Sequence, residues 1–235
     1  MSNFTTWRSL VDGNQIAAIP DSTVEQFDFS DPSSVSTNGD LTAIDSQLSE
    51  TTLTGTFSDY VEGEINGRNV GLSDGVDDSL DADFDGGTLT TPITTIAVFQ
   101  VLDAETDLQT VVSSNNNEST ARDEDRWLFN GTDFVNYNFN FGTNDVFIQT
   151  VNWNIDDTSL DVWMNGTLLD DVDTGSEEIN ANDFEGIGLA YRRGNDDRHG
   201  NYHHCEYMVY DEILDTETRQ EEEQRLSDKW DISLA

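Results

Sequence analysis

Three groups of residues have the types and spacing for chemistry. The densest lies between Tyr191 and Tyr202, where Arg192, Arg193 and Arg198 are interleaved with Asp196, Asp197 and His199. Sugar recognition needs aromatic faces for C–H surfaces and planar donors or acceptors for hydroxyls, carried on loops. Tyr191, Arg192, Arg193, Asp196, Arg198, His199 and Tyr202 are therefore the expected glycan-binding residues. The same loop also reads as an internally ion-paired segment or a contact between subunits.

The second group is Asp81, Asp83 and Asp85, alternate acids followed by Gly86. Alternate acids before a glycine are the pattern of calcium loops, so calcium is the expected metal. The glutamate that closes a helical calcium hand at its twelfth position is missing. The third group, His199, His203, His204 and Cys205, has ligand types suited to a transition metal. On a strand, however, His203 and His204 point to opposite faces, which opposes a shared ion. The three histidines are crowded together, and no Ser-His-Asp arrangement is visible. Trp127, Trp153 and Trp163 read as core or sheet-face residues rather than sugar platforms.

These groups must be positioned by strands. Asp145 to Asp173 reads as a three-stranded meander. Phe147 to Asn154 alternates, Asp156-Asp157-Thr158 turns the chain, and Leu160, Val162 and Met164 share one face. Asn165-Gly166 then tolerates the positive φ that a two-residue hairpin requires. Asn130-Gly131 predicts a second hairpin between Arg126–Phe129 and Asp133–Phe139. Further strands are expected at Val24–Phe29, Arg68–Ser73, Ile93–Leu102, Leu108–Ser113, Phe184–Tyr191 and Tyr202–Tyr210. Asp31–Tyr60 reads as a long surface loop with short extended pieces such as Leu41–Ile44. Ser114–Glu124 reads as a polar loop. One helix is expected after Asp215 as N-cap. Its acids Glu217 and Glu221–Glu223 lie early, its cations Arg225 and Lys229 late, and Leu226 and Trp230 dock on one side. The pattern specifies an all-β fold, a two-sheet antiparallel jelly-roll sandwich with one short C-terminal helix. Residues 1–22 are expected to be an N-terminal arm, and 23–235 the sandwich.

Charge is the unusual feature of the composition. There are 48 acids against ten basic residues, a net of −38, and Lys229 is the only lysine. The acids are scattered among apolar strands rather than blocked into a tail, so the chain should fold. Such a charge repels itself in dilute buffer but is screened at molar salt, where the Debye length falls to roughly 3 Å. That is the composition of a protein from a salt-saturated habitat, and folding should depend on salt. Nucleic acid is excluded as a partner because no basic patch exists for phosphates. Cys205 is alone, so no intrachain disulfide is expected. Neither a secretory signal nor the ~20 apolar residues of a membrane helix is visible, so membrane insertion is not expected and synthesis is expected in the cytoplasm.

Several segments resemble concanavalin A-like (laminin G-like) jelly-roll domains. Ile65-Asn66-Gly67-Arg68 followed by Gly71 to Leu80 is similar to that family's "NGkpvlrFdGvdDyL" segment. Val162-Trp163-Met164-Asn165-Gly166 is similar to its "lyvNG" hairpin. Glu206 to Leu214, with Glu217 and Leu226 to Ile232, is similar to its closing "aEviiYdraLsdaE…YLaaKWgi", and Phe27 to Asp45 to its opening segment. The resemblance spans residues 24 to 232 and implies the fold. The superfamily includes lectins, glycosidases, adhesion modules and virion spikes, so it does not fix the ligand. Laminarinase-type enzymes of this fold carry a Glu-x-Asp-x-x-Glu-like cluster on one strand. No good copy is present. Glu212, Asp215 and Glu217 come closest but fall at the strand-to-helix turn, and Asp123-Glu124-Asp125 reads as a solvated loop.

The expectation is a non-enzymatic virion-surface protein of a virus infecting a halophilic host, such as a capsid turret, decoration or tail-fibre module recognising host surface glycans. It would be made in the host cytoplasm and would assemble as a homo-oligomer with other virion structural proteins. A secreted or cell-surface lectin or adhesin is the second reading, and a glycoside hydrolase the third.

Overall fold

A computed structural model describes residues 7–12, 15–90, 92–102, 109–114, 119–123, 126–129, 133–136, 144–153, 159–173, 184–191, 193 and 199–235. In chain order, the strands are β1 (Trp7–Asp12), β2 (Gln15–Pro20), β3 (Thr23–Asp28), β4 (Val35–Thr37), β5 (Leu41–Asp45), β6 (Thr52–Phe57), β7 (Asp59–Ile65), β8 (Arg68–Asp74), β9 (Ser79–Asp83), β10 (Ile93–Val101), β11 (Gln109–Ser113), β12 (Ser119–Asp123), β13 (Arg126–Phe129), β14 (Asp133–Asn136), β15 (Val146–Trp153), β16 (Ser159–Met164), β17 (Thr167–Asp173), β18 (Gly186–Leu189) and β19 (Asn201–Tyr210). One helix follows, α1 (Thr216–Trp230).

The strands form two large antiparallel sheets. One runs β17-β16-β15-β10-β19-β8-β7, with β3 pairing the far half of β19. The other runs β14-β13-β12-β11-β18-β9-β6-β5-β4. Phe27, Phe99, Phe147, Trp153 and Tyr207 from the first sheet meet Leu41, Leu53, Phe57, Leu80 and Leu189 from the second in one core. The fold is a β-sandwich, as the alternation predicts.

The first sheet is covered on both faces. Along β10, Ile93, Ala97, Phe99 and Val101 face the sandwich core, while Ile96 and Val98 face outward. The outward set meets Leu226, Trp230 and Ile232 in a second apolar cluster under α1. On β19 the phase changes at a bulge. Val98 pairs with Glu206 but Phe99 pairs with His204, so Cys205 is the extra residue. The bulge therefore sends Tyr202 and Tyr207 into the core, and Cys205, Met208 and Tyr210 toward the helix.

The helix begins and ends where its chemistry dictates. The Asp215 carboxylate accepts from the Thr218 N–H at 2.8 Å, which holds its pKa below the usual value. Asp231 adopts the left-handed conformation at the far end, and its N–H donates to the Ser227 carbonyl. Asn165 (φ 48°) and Gly166 (φ 80°) make the expected β16–β17 turn, and Asn66-Gly67 makes its counterpart between β7 and β8.

Two expectations fail. Asp31–Tyr60 is not a long loop, since it supplies β4, β5, β6 and the start of β7. Register shifts between Ser36 and Thr37 and between Leu41 and Ala43 break the alternation that would have revealed these strands. Ser114–Glu124 likewise contains β12, a polar strand held between β11 and β13. The second hairpin does form, with Phe129 opposite Asp133, although Asn130-Gly131 lies outside the described residues. Among the described residues no helix is long and apolar enough to cross a membrane.

Candidate functional site

The loop after β18 is pinched at its neck. Ala190 turns the chain at φ 65°, donating its N–H to the Val111 carbonyl at 3.1 Å and accepting from the Gly200 N–H at 2.7 Å. Gly200 cannot carry a side chain there, because a Cβ would lie 2.1 Å from the Tyr202 ring. Inside the neck, Tyr191 stacks on His199 with ring centroids 6.1 Å apart and planes at 18°. His199 Nδ1 lies 3.0 Å from the Asp78 carbonyl oxygen, so it donates to it. These contacts tie the base of the loop to the turn between β8 and β9.

Arg193 anchors the other side. Its N–H donates to Ser113 Oγ at 2.9 Å, and one guanidinium nitrogen donates to the Ser114 carbonyl at 3.0 Å. The guanidinium also pairs with Asp83 and lies 3.5 Å from Asp81. Asp81 and Asp83 are two apart on β9, hence on one face of that strand. The sequence assigned them to calcium; here they share an internal cation. Asp85 lies beyond the strand, where its N–H donates to Thr51 Oγ1 at 3.0 Å. Among the described residues, the acids whose ligand oxygens lie within 4.8 Å of one another are instead Asp74, Asp77 and Asp78. The Asp78 carboxylate in that trio is held by the Ser58 N–H, the Ser58 hydroxyl and the Asp74 N–H, at 2.8, 2.7 and 2.9 Å.

The structure thus joins Tyr191, Arg193, His199, Asp81 and Asp83, but the Tyr191 side chain is buried and stacked on His199, so it does not offer the open aromatic face expected for a sugar. Tyr202 does not reach them: the residue is fully buried, packs edge-on against Phe99 and donates its hydroxyl to the Gln109 carbonyl at 3.2 Å. Arg192, Asp196 and Arg198 lie outside the described residues.

His203 and His204 diverge as alternation requires. His203 Nδ1 lies 2.7 Å from Gln100 Oε1. His204 sits in the core with Nε2 2.9 Å from Ser73 Oγ and Nδ1 2.8 Å from the Tyr207 hydroxyl. The Ser73–His204 contact has nucleophile-to-base distance but not the chemistry. Ser73 donates its proton to the Gly200 carbonyl at 2.6 Å, so His204 Nε2–H donates to Ser73 and Nδ1 accepts from Tyr207. Both residues are fully buried, and burial, with His203 adding, lowers the His204 pKa to about 3. It is a neutral core histidine.

A second constellation lies under α1, built from residues that the sequence offers only as parts of a family resemblance and a helix dipole. Glu206, fully buried, accepts from Lys229 Nζ at 2.7 Å, Gln26 Nε2 at 2.8 Å and Trp230 Nε1 at 3.2 Å, with an Arg225 nitrogen at 3.4 Å. Lys229 Nζ also donates to Asp28 at 2.6 Å, and Arg225 pairs with Glu222 at 3.1 Å. Burial alone would raise the Glu206 pKa, but Lys229 and Arg225 bring it down to about 2. Asp28 is raised by burial and by Glu206 despite Lys229. An acid within an apolar strand, Glu206 before Tyr207-Met208-Val209-Tyr210, was the available signal, because such a group is tolerated only when paired.

No protein-family profile and no curated protein sequence matches this chain. Solved structures do. The chain is similar to Trypanosoma rangeli sialidase in complex with sialic acid, with TM-score 0.63 and 12% identity over 97% of this chain and 36% of that one. It is similar to the receptor-binding domain of botulinum neurotoxin C/D mosaic serotype, with TM-score 0.61 and 13% identity over 87% of this chain and 51% of that one. The botulinum neurotoxin serotype D binding domain gives TM-score 0.62 and 12% identity over 87% of this chain and 52% of that one. The matches therefore cover from about a third to a half of those chains. At this identity the likeness establishes a shared sandwich fold.

Proposed function

We propose that this chain is a non-hydrolytic glycan-recognition module, displayed on a virion that meets a salt-rich exterior. The observation that carries the reading is the pinched loop, whose base is fixed by the Tyr191–His199 stack and by Arg193 on Asp81 and Asp83. A fixed base lowers the ordering cost of presenting donors from this loop, whose sequence includes Arg192 and Arg198. Sandwiches of this fold include a sialidase solved with sialic acid and toxin receptor-binding domains, which makes a sugar the natural ligand class. Binding rather than hydrolysis is favoured because, among the described residues, the acids whose pKa burial shifts most directly, Glu206, Asp28 and Glu222, are buried under α1. The salt-rich exterior is favoured by the charge. Each of the five basic side chains described, Arg68, Arg193, Arg219, Arg225 and Lys229, is engaged internally, which leaves acids to the solvent. A cell-surface adhesin would use the same loop.

The test is binding to purified host envelope glycans in molar KCl. Arg192→Ala with Arg198→Ala should weaken binding at least tenfold while the melting temperature holds, and no sugar should be released from the bound glycan. Unchanged binding by the double variant would remove the loop as the site. Released sugar would replace the module by a hydrolase. Antibody labelling of intact particles separates the virion from the adhesin.

A further inference from the structure

We infer that a small cleft between the two sheets takes the acetyl group of an N-acetylated sugar. The inference rests on the glycan reading and narrows it to a sugar class. The cleft holds about 280 Å³ of empty space, its open mouth included. Sites for whole small-molecule ligands run to roughly 300–1,000 Å³, so this one admits a substituent rather than a ring. Its walls are apolar and come from both sheets: Trp153 and Val209 from the first, Val112, Ile187, Phe84 and Phe184 along the second. Trp153 meets Phe184 edge-on, with ring centroids 5.2 Å apart.

One hydroxyl decides what enters. Thr95, also in the wall, accepts from Trp153 Nε1 at 2.9 Å. Among the described residues its own proton has no acceptor, so it is a donor for a ligand oxygen. A bare sugar hydroxyl would lose its water hydrogen bonds against these rings. An acetamido group suits the cleft better: its methyl covers the apolar wall, and its carbonyl oxygen accepts from Thr95. Ser113 and Ser114 complete the wall, and they also hold Arg193, through Ser113 Oγ and the Ser114 carbonyl. A sugar anchored by its acetyl group therefore lies beside Arg193, the anchor of the loop.

The experiment measures binding of host envelope glycans in molar KCl after chemical de-N-acetylation and re-N-acylation, with acetyl or with formyl. The formyl form lacks only the methyl. One methylene in an apolar pocket is worth roughly 10–200-fold, so the formyl form should bind at least tenfold more weakly. Val112→Leu, which narrows the cleft, should shrink that preference. Thr95→Val, which keeps the side-chain shape and removes the donor, should weaken both forms by about three- to tenfold. Equal binding of the two forms, with Arg192→Ala and Arg198→Ala still weakening both, would overturn the cleft and leave the loop as the site. So would tight binding by host glycans that carry no acetamido group. A preference for acetyl that neither Val112→Leu nor Thr95→Val alters would also overturn it, because the methyl would then be read elsewhere. Absence of binding by either form would overturn the glycan reading itself, and this inference with it.

Discussion

Lys229 between Glu206 and Asp28, and Arg193 against Asp81 and Asp83, each set one cation against two acids, in different surroundings. The Glu206 side chain is 0% exposed and Lys229 13%, so their charges face each other across little water. Asp83 is 81% exposed and Asp81 43%, so solvent and salt screen the carboxylates of the second set, although Arg193, at 14%, is as covered as Lys229. In the first, a lost partner leaves an uncompensated buried charge. In the second, water takes the partner's place at the exposed carboxylates. The first set therefore fixes how α1 docks on β3 and β19. The second shapes a rim that meets solvent and can exchange partners. In a chain this acidic, only burial gives a pair strength at molar salt.

The contrast is broken most severely at the lone lysine. Lys229→Met removes the cation shared by Glu206 and Asp28. Breaking a buried pair from one side costs about 3–5 kcal/mol, or roughly 6–20 °C in melting temperature for a chain of this size. Thermal melts should show that loss equally in dilute and molar KCl. A variant that melts with wild type would mean the network holds α1 through Arg225 alone.

Acid should separate the buried groups next. His204 keeps its neutral form down to about 3, while an unfolded histidine protonates near 6.5. Its contribution is complete above 6.5 and is lost as pH falls toward 3, by at most about 1.4 kcal/mol per pH unit. Glu206 acts lower, with stability present above 4.5 and lost as pH falls toward about 2. Asp28 has the opposite sign, since its raised pKa favours the folded state as pH falls through the folded value toward 3.8. His204→Gln should flatten the slope between 6.5 and 4.5 and leave the steeper acid limb. A slope there identical to wild type would remove His204 as its source.

The sandwich was legible because β10, β15 and β16 alternate cleanly and Asn165-Gly166 fixes a hairpin. The helix was legible from Asp215 and the charge order along it. β6 was not, and β5 only as the short piece Leu41–Ile44, because bulges at their pairings hide a face carrying only Leu41, Ile44, Leu53 and Phe57 in the core. At the site, Tyr191, Arg193 and His199 came together as their spacing suggested. Tyr202 did not, because the bulge at Cys205 sets the phase of β19, and a bulge leaves no mark in composition. The capture of Arg193 by Asp81 and Asp83 was hidden because it joins residues 110 positions apart, from two candidate sites that looked unrelated.

The rim pair gives the smallest effect and the sharpest contrast. Asp83→Asn keeps the shape of the side chain and removes one charge. Two terms then oppose each other: the pair with Arg193 is lost, worth about 0.2–1 kcal/mol for exposed groups, and one of 48 mutually repelling acids is gone. Both are screened at molar salt, where the Debye length is roughly 3 Å. The variant should therefore melt within about 0.5 kcal/mol of wild type in molar KCl. Any difference should emerge only as salt is withdrawn, opposite to the salt-invariant loss expected for Lys229→Met. A large and salt-invariant loss for Asp83→Asn would mean that solvent does not reach Arg193 and Asp83. The rim would then be as closed as the network under the helix, and a sugar could not exchange with its ion pairs.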